Sequence, residues 1–178
     1  MTTAKTVAKH FLDKGFRLLG SGCYAVVFDS KTDPNLVYKI GSTLSDPFLV
    51  YAKLQNKFVD NPHYPKIYSI YEDTEHDWYM VKMEALTKLP HHKYEVITRV
   101  KKFMRHYDGV VLTKPMEDLV NEISKLLEKH PEIQLDLHNE NIMMRGTTPV
   151  ITDPLSETDI PTNQDTQGWF LEEEVYEH

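Results

Sequence analysis

The hydrophobic pattern changes character at about Leu86, and this change constrains the fold more than any other feature of the sequence. Before it, short apolar runs alternate with turn residues, which is typical of strands. After it, residues 94–107 and 116–130 carry apolar side chains at the three- and four-residue spacing of helices. The pattern predicts an α+β chain with two lobes, a β lobe over about 1–86 and a minimal, mainly helical lobe over about 87–156.

The β lobe is predicted to be an antiparallel sheet of five strands with one inserted helix. Asp46 is a favoured N-cap residue and Pro47 suits the first helical position, so a helix is predicted from there to about Val59. A further helix is predicted over 3–13. The five strands are predicted at 16–19, 24–28, 36–40, 66–72 and 78–83.

The second lobe is predicted to continue, after its two helices, with a loop over 131–141. A short hairpin follows, with strands at 142–144 and 150–152 around a turn at Gly146. Beyond Asp153 no regular structure is predicted except around Trp169–Leu171, a segment that lies outside the residues described below.

Charge is unevenly distributed along the chain. The net charge is −7, and residues 157–178 form a tail with seven acidic residues and no Lys or Arg. The remaining 20 acidic and 20 basic residues balance. Such a tail repels phosphate backbones, which argues against nucleic acid as the main partner. Two hypotheses follow: the tail folds back on the basic cluster at 101–105, or it joins two copies of the chain in a homodimer.

Cysteine content and hydropathy indicate the compartment. The single cysteine, Cys23, excludes an internal disulfide and fits a reducing cytoplasm. No apolar run has the length needed to cross a bilayer. With 178 residues the chain suits one compact cytosolic domain and no membrane association.

Two elements of the β lobe suit phosphate binding. Gly20, Ser21 and Gly22 lie at a predicted strand turn, where glycines allow backbone N–H groups to approach an anion closely. An ordinary hairpin turn has the same composition. Lys39 lies in an otherwise apolar strand soon afterwards, where it either points to solvent or contacts bound phosphates.

The loop and hairpin of the second lobe carry the remaining candidates. Asp136 and Asn141 lie five residues apart, so that a carboxylate can orient an attacking hydroxyl and an amide oxygen can bind Mg²⁺. Asp153 follows at a strand end and is a second candidate metal ligand, although Asp-Pro is also a common turn. The order of these elements along the chain is that of the ATP site of kinases.

The chain resembles the early serine/threonine protein kinases of podovirus-type, T-seven-like bacteriophages. The resemblance covers about residues 16–156. It is carried by five segments, namely Phe16–Gly22, Val37–Gly41, Met83–Leu86, Asp136–Met143 and Ile151–Pro154. The Asp-Leu-His-x-x-Asn loop is also similar to that of aminoglycoside and choline kinases.

This resemblance implies a protein-kinase-like fold, ATP and Mg²⁺ as cofactors, and host bacterial proteins as substrates or targets in the host cytoplasm. It implies that Lys39 holds the α- and β-phosphates, that Asp136 is the catalytic aspartate, and that Asn141 and Asp153 bind metal. Gly20, Ser21 and Gly22 would cover the nucleotide. The hinge that meets the adenine would be formed by Met83, Glu84, Ala85 and Leu86.

The sequence departs from the kinase pattern in three places. No glutamate lies between Lys39 and Glu72, and Asp46, the nearest acidic residue, has a position at the helix start that argues against contact with Lys39. His138 replaces a lysine that often contacts the γ-phosphate, and it either assists there or packs against the loop. Only 25 residues follow Asp153, so we interpret the helical lobe as truncated.

Two alternatives to a protein kinase remain open at this stage. The missing glutamate suits a kinase-like module that binds and inhibits a host protein without turnover. The Asp-Leu-His-x-x-Asn loop suits a phosphotransferase acting on small molecules.

Overall fold

The computed structural model describes residues 3–158. They form two compact units, one of residues 3–49 and 67–85 and the other of residues 50–66 and 86–158. The acidic tail from residue 159 onward lies outside the described residues, so its folding back and the homodimer it would form stay hypotheses.

The first unit contains a five-stranded antiparallel sheet, which confirms the predicted α+β class. Its spatial order is β1-β2-β3-β5-β4, so that β4 is an edge strand. The strands are β1 (Leu18–Ser21), β2 (Ala25–Asp29), β3 (Leu36–Gly41), β4 (Ile67–Asp73) and β5 (Trp78–Glu84).

Helix α1 (Ala4–Asp13) covers one face of this sheet. The Thr3 hydroxyl accepts the Thr6 N–H at 3.3 Å and so caps the first turn. Ala4 and Ala8 are buried in a core formed with residues of β2 and β3. The helix gives way to a turn at Gly15, whose φ of +75° favours glycine.

The predicted helix from Asp46 to Val59 is wrong in its length, because α2 spans only Phe48–Ala52. Beyond it most backbone bonds join residues three apart, as from the Leu54 N–H to the Tyr51 carbonyl at 3.0 Å. The buried Tyr64 hydroxyl is within 3.0 Å of the Tyr51 carbonyl and 2.9 Å of the Ala52 carbonyl. These contacts satisfy the carbonyls at the helix end, so the chain turns there.

The second unit combines helices with a two-stranded sheet and a three-stranded sheet. The helices α3 (Glu95–Met104) and α4 (Lys114–Lys129) lie where the periodicity predicts them. Helix α4 buries Met116, Leu119, Val120 and Ile123 on one face. The strands are β6 (Thr87–Lys88), β7 (Ile133–Leu135), β8 (Ile142–Arg145), β9 (Thr148–Ile151) and β10 (Leu155–Glu157). The two-stranded sheet has the order β10-β7, and the three-stranded sheet has the order β6-β8-β9. Within residues 3–158 no helix has the length and apolarity that crossing a membrane requires.

Two of these strands correct the sequence prediction. β7 lies inside the segment predicted as a loop, and β10 lies beyond Asp153, where no regular structure was expected. They pair antiparallel with Leu135 opposite Leu155. The predicted hairpin is confirmed as β8 and β9, with Ile142 opposite Ile151 and Gly146 at the tip with φ of +60°.

Candidate functional site

The loop that carries Asp136 and Asn141 is held at both ends by strand pairs of the second unit. β7 and β10 pair immediately before Asp136, and β8 and β9 pair immediately after Asn141. The connection between β9 and β10 contains Asp153. The topology therefore brings the loop and Asp153 together between two short ladders.

Backbone hydrogen bonds close this arrangement. The Asp136 N–H donates to the Pro154 carbonyl at 2.8 Å. The Asn141 carbonyl accepts the N–H of Thr152 at 2.9 Å and that of Asp153 at 3.4 Å. Leu137, which lies within the loop, is buried and so anchors it to the core. Asp136, Asn141 and Asp153, which the sequence places in one site, thus lie on adjoining backbone segments.

The Asn141 amide has a defined orientation. Its Nδ2 donates to the Asp136 carbonyl at 2.7 Å and approaches the Asp136 Oδ2 at 3.3 Å. Both partners are acceptors, which favours the orientation in which the nitrogen faces them and the carbonyl oxygen Oδ1 turns away. Amide and carboxylate oxygens are suitable Mg²⁺ ligands, and Mg²⁺ commonly takes few ligands from the protein and the rest from water and phosphate. Asn141 and Asp153 fit such a site.

Among the described residues no group of three or more His, Cys, Asp or Glu side chains is placed to hold a metal ion. The candidate metal ligands stay Asn141 and Asp153, which the family resemblance implies.

His138 packs onto the same loop. Its Nδ1 accepts the Glu140 N–H at 3.2 Å, and its Nε2 lies 2.9 Å from Asn141 Nδ2 and 3.6 Å from Asp136 Oδ2. About two fifths of the side chains of Asp136 and His138 remain exposed, 43% and 42% respectively. Asp136 is thus open to a substrate, while the contacts of His138 favour a bracing role over direct phosphate contact.

Tyr51 supports the Asp153 segment from the core of the second unit. Its hydroxyl donates to the Ile151 carbonyl at 2.8 Å. Burial raises the pKa of the Tyr51 hydroxyl well above its ordinary value of about 10, and the neighbouring Tyr64 and Asp153 raise it further. The Asp153 carboxylate therefore lies close enough to Tyr51 to act on it electrostatically.

This burial predicts an alkaline loss of stability. Above pH 10 the unfolded chain releases the Tyr51 proton while the folded chain retains it, so the free energy of unfolding falls as pH rises, by up to about 1.4 kcal/mol per pH unit from this group. Tyr51→Phe is expected to cost about 1 kcal/mol at pH 8 through the lost hydrogen bond, and to flatten the decline. Urea unfolding at pH 8, 10 and 11 measures both effects, and an equally steep decline in the variant would contradict the assignment.

Lys39, in the first unit, is buried in β3 with only 9% of its side chain exposed. Its Nζ lies 3.7 Å from Asp46 Oδ2 and 3.7 Å from the centroid of the Phe48 ring. The solvent-facing alternative for this lysine is therefore wrong. A buried ion pair contributes little net stability because desolvation offsets its attraction, so its presence favours a role in chemistry.

The contact with Asp46 corrects the expectation drawn from its sequence position. Asp46 Oδ1 accepts the Phe48 N–H at 2.9 Å, which holds the carboxylate at the start of α2. From there Oδ2 reaches Lys39. Sequence reasoning missed Phe48 and Tyr79, whose hydroxyl donates to Asp46. Only the pairing of β3 with β5 reveals Tyr79, because it lies opposite Gly41.

Neither backbone conformation nor packing requires glycine in the glycine-rich turn of Gly20, Ser21 and Gly22. Gly20, Ser21 and Gly22 are exposed, and neither glycine is in the left-handed region. A Cβ at Gly20 would meet no atom within 4 Å, and one at Gly22 would only touch the Ala25 carbonyl at 3.8 Å. The local structure therefore does not explain the two glycines. Close approach of a ligand to the backbone is an explanation that fits them.

The predicted hinge segment falls at the boundary between the units. Met83, Glu84 and Ala85 end the first unit and Leu86 begins the second. Met83 and Glu84 are buried. The Ala85 N–H donates to the Asn35 carbonyl at 2.7 Å, which engages one of the backbone groups expected to meet adenine.

Comparison with known proteins assigns the chain to a protein family. It matches the family described as bacteriophage T7 protein kinase 0.7 over residues 1–174. Among solved structures it is similar to the Cydia pomonella granulovirus kinase PK-1, with 14% sequence identity and a TM-score of 0.40. That alignment covers 88% of this chain and 58% of the granulovirus kinase, so the chain spans less than two thirds of that protein. No curated protein sequence matches. Because the family match extends over nearly all of the 178 residues, the chain belongs to the bacteriophage T7 protein kinase 0.7 family.

Proposed function

We propose that the protein transfers the γ-phosphoryl group of MgATP to serine or threonine hydroxyls of host bacterial proteins, or of the chain itself, in the host cytoplasm. Membership of a phage protein kinase family supports the reaction class. Host proteins are the natural substrates for a phage enzyme, and the preference for serine and threonine follows from the sequence resemblance.

The observation that carries the proposal is the convergence of Asp136, Asn141 and Asp153 between the β7/β10 and β8/β9 ladders. Phosphoryl transfer demands little covalent chemistry of a protein, so its catalysts act mainly by positioning and charge stabilisation. A loop fixed at both ends satisfies that demand.

Each residue has a role in this proposal. Asp136 accepts a hydrogen bond from the attacking hydroxyl and orients it toward the γ-phosphorus. Asn141 Oδ1 and the Asp153 carboxylate hold Mg²⁺. When bound, the metal offsets the charge of the phosphates. His138 keeps the loop in shape through its bond from the Glu140 N–H.

The first unit supplies the nucleotide contacts. Lys39 binds the α- and β-phosphates, and the Asp46 carboxylate holds its ammonium group. Gly20, Ser21 and Gly22 cover the phosphates, and the Gly22 N–H keeps the turn closed because it donates to the Ala25 carbonyl at 2.9 Å. The adenine meets the backbone of the hinge, Met83 to Leu86.

Label transfer tests the proposal. The protein is incubated with γ-labelled ATP, Mg²⁺ and a bacterial lysate, with an EDTA-treated sample alongside. Label on serine or threonine of lysate proteins, lost with EDTA, is the expected result. Label on small molecules alone would identify a different phosphotransferase, and nucleotide binding without any transfer would identify a binding module. Either of these outcomes would overturn the proposal.

A further inference from the structure

A series of contacts within the first unit connects Gly41 to the ammonium group of Lys39. Gly41 in β3 lies directly opposite Tyr79 in β5. A Cβ on Gly41 would lie 2.7–2.8 Å from the Oη, Cε1 and Cζ atoms of Tyr79, closer than real Cβ atoms approach. The ring of Tyr79 therefore occupies space that any side chain at position 41 would take.

The Tyr79 hydroxyl holds the carboxylate that faces Lys39. It donates to Asp46 Oδ2, the same oxygen that lies 3.7 Å from Lys39 Nζ. The other oxygen, Oδ1, accepts the Phe48 N–H at 2.9 Å. Both oxygens of Asp46 are thus fixed, one by β5 and the other by the start of α2.

These contacts are buried, so the loss of one of them is costly in free energy. Tyr79 is fully buried, and Lys39 and Asp46, taken as whole residues, are each 7% exposed. In such surroundings a carboxylate that loses a hydrogen-bond donor cannot replace it with water at little cost. Phenylalanine would fill the same volume as Tyr79, so packing alone does not account for the hydroxyl.

We propose that Tyr79 is a positioning residue that acts through Asp46 on Lys39, with Gly41 making room for its ring. This inference rests on the proposed role of Lys39 as a ligand of the nucleotide phosphates. A helix glutamate, the usual partner of such a lysine, is missing here. An aspartate at the helix start takes its place, and a tyrosine from the sheet keeps that shorter side chain in position.

Tyr79→Phe tests the inference directly. The variant is expected to bind MgATP about tenfold more weakly and to raise the KM for ATP by a similar factor, while the KM for the protein substrate stays unchanged. A purely structural residue would instead lower thermal stability without separating the two KM values. Tyr71→Phe is the matched control, because Tyr71 is half-exposed on the edge strand β4, and it should behave like the unmodified protein.

A double-mutant cycle tests whether Tyr79 acts through Asp46. Asp46→Asn is expected to weaken MgATP binding at least as much as Tyr79→Phe. Adding Tyr79→Phe to Asp46→Asn should then cause little further loss, because the group that Tyr79 holds is already altered. Losses that multiply in full would show that the two residues act independently, and would overturn the inference.

Gly41→Ala should also disturb the hydrogen bond from the Tyr79 hydroxyl to Asp46. The added methyl group would overlap the hydroxyl end of the Tyr79 ring, the end that donates to Asp46, and must displace it. This variant should therefore weaken MgATP binding, as Tyr79→Phe does. Binding of a fluorescent ATP analogue in the presence of Mg²⁺ measures every variant without relying on turnover.

The binding readout also separates this inference from the proposed function. If the unmodified protein binds MgATP, transfers no phosphate and still shows the Tyr79 effect, the proposed function fails and the inference stands. If Tyr79→Phe binds MgATP as tightly as the unmodified protein, the inference fails whatever the activity. Absence of MgATP binding in the unmodified protein would overturn both.

Discussion

Asp136→Asn is expected to lower kcat by about a thousandfold, within the range by which proton-accepting groups contribute to catalysis. The change removes a charge and keeps the shape of the side chain. The backbone carbonyl of position 136 still accepts the Asn141 amide, so the loop should remain in place. Affinity for MgATP should change by less than about threefold, since the role proposed for Asp136 is to orient the hydroxyl rather than the nucleotide.

Glu140→Gln is the control for this experiment, because Glu140 is exposed in the same loop and loses the same charge. Single-turnover transfer and nucleotide binding are measured for both variants. Retention of more than about a tenth of the rate in Asp136→Asn would contradict the assignment of Asp136 as the catalytic aspartate.

Asp153→Asn is expected to raise the Mg²⁺ concentration for half-maximal activity at least about tenfold and to lower kcat about a hundredfold. The amide retains one oxygen for the metal but no negative charge. A second readout comes from Tyr51, because the substitution removes one of the groups that raise its pKa. The alkaline titration of Tyr51 should move toward its ordinary range.

A matched control for Asp153→Asn is Asp118→Asn, on the exposed side of α4, where the carboxylate pairs with Lys114 at 2.8 Å. It should leave the Mg²⁺ dependence unchanged. An Asp153→Asn variant with the Mg²⁺ dependence of the unmodified protein would exclude Asp153 as a metal ligand, even if its kcat were low.

Local sequence patterns predicted those parts of the fold that depend on neighbouring residues. Alternation along 24–28 and 36–40 is a property of each strand by itself, and the apolar spacing of 116–130 is a property of one helix. The pairing of Asp136 with Asn141 in one loop was equally visible, because a separation of five residues keeps them close in any compact loop.

These local patterns could not predict contacts between segments that are distant in the sequence. β7 and β10 have three residues each, and Leu135 pairs with a partner twenty positions away, so neither strand has a local signal of its own. The length of α2 depended on Tyr64, whose hydroxyl contacts carbonyls twelve and thirteen residues earlier. The approach of Asp46 to Lys39 depended on the turn between β3 and α2.

The two ladders that flank the loop of Asp136 and Asn141 restrict its length. An inserted residue between Leu135 and Ile142 would have to bulge out or slip one ladder by a position, and a slip of one reverses which face of a strand each side chain occupies. The hairpin tip at Gly146 is exposed and lies outside both ladders, although its φ of +60° still favours glycine at that position. Insertions that arise in evolution should therefore be found at the hairpin tip and not in the loop between Leu135 and Ile142. An engineered epitope or fluorophore should likewise be tolerated at the tip.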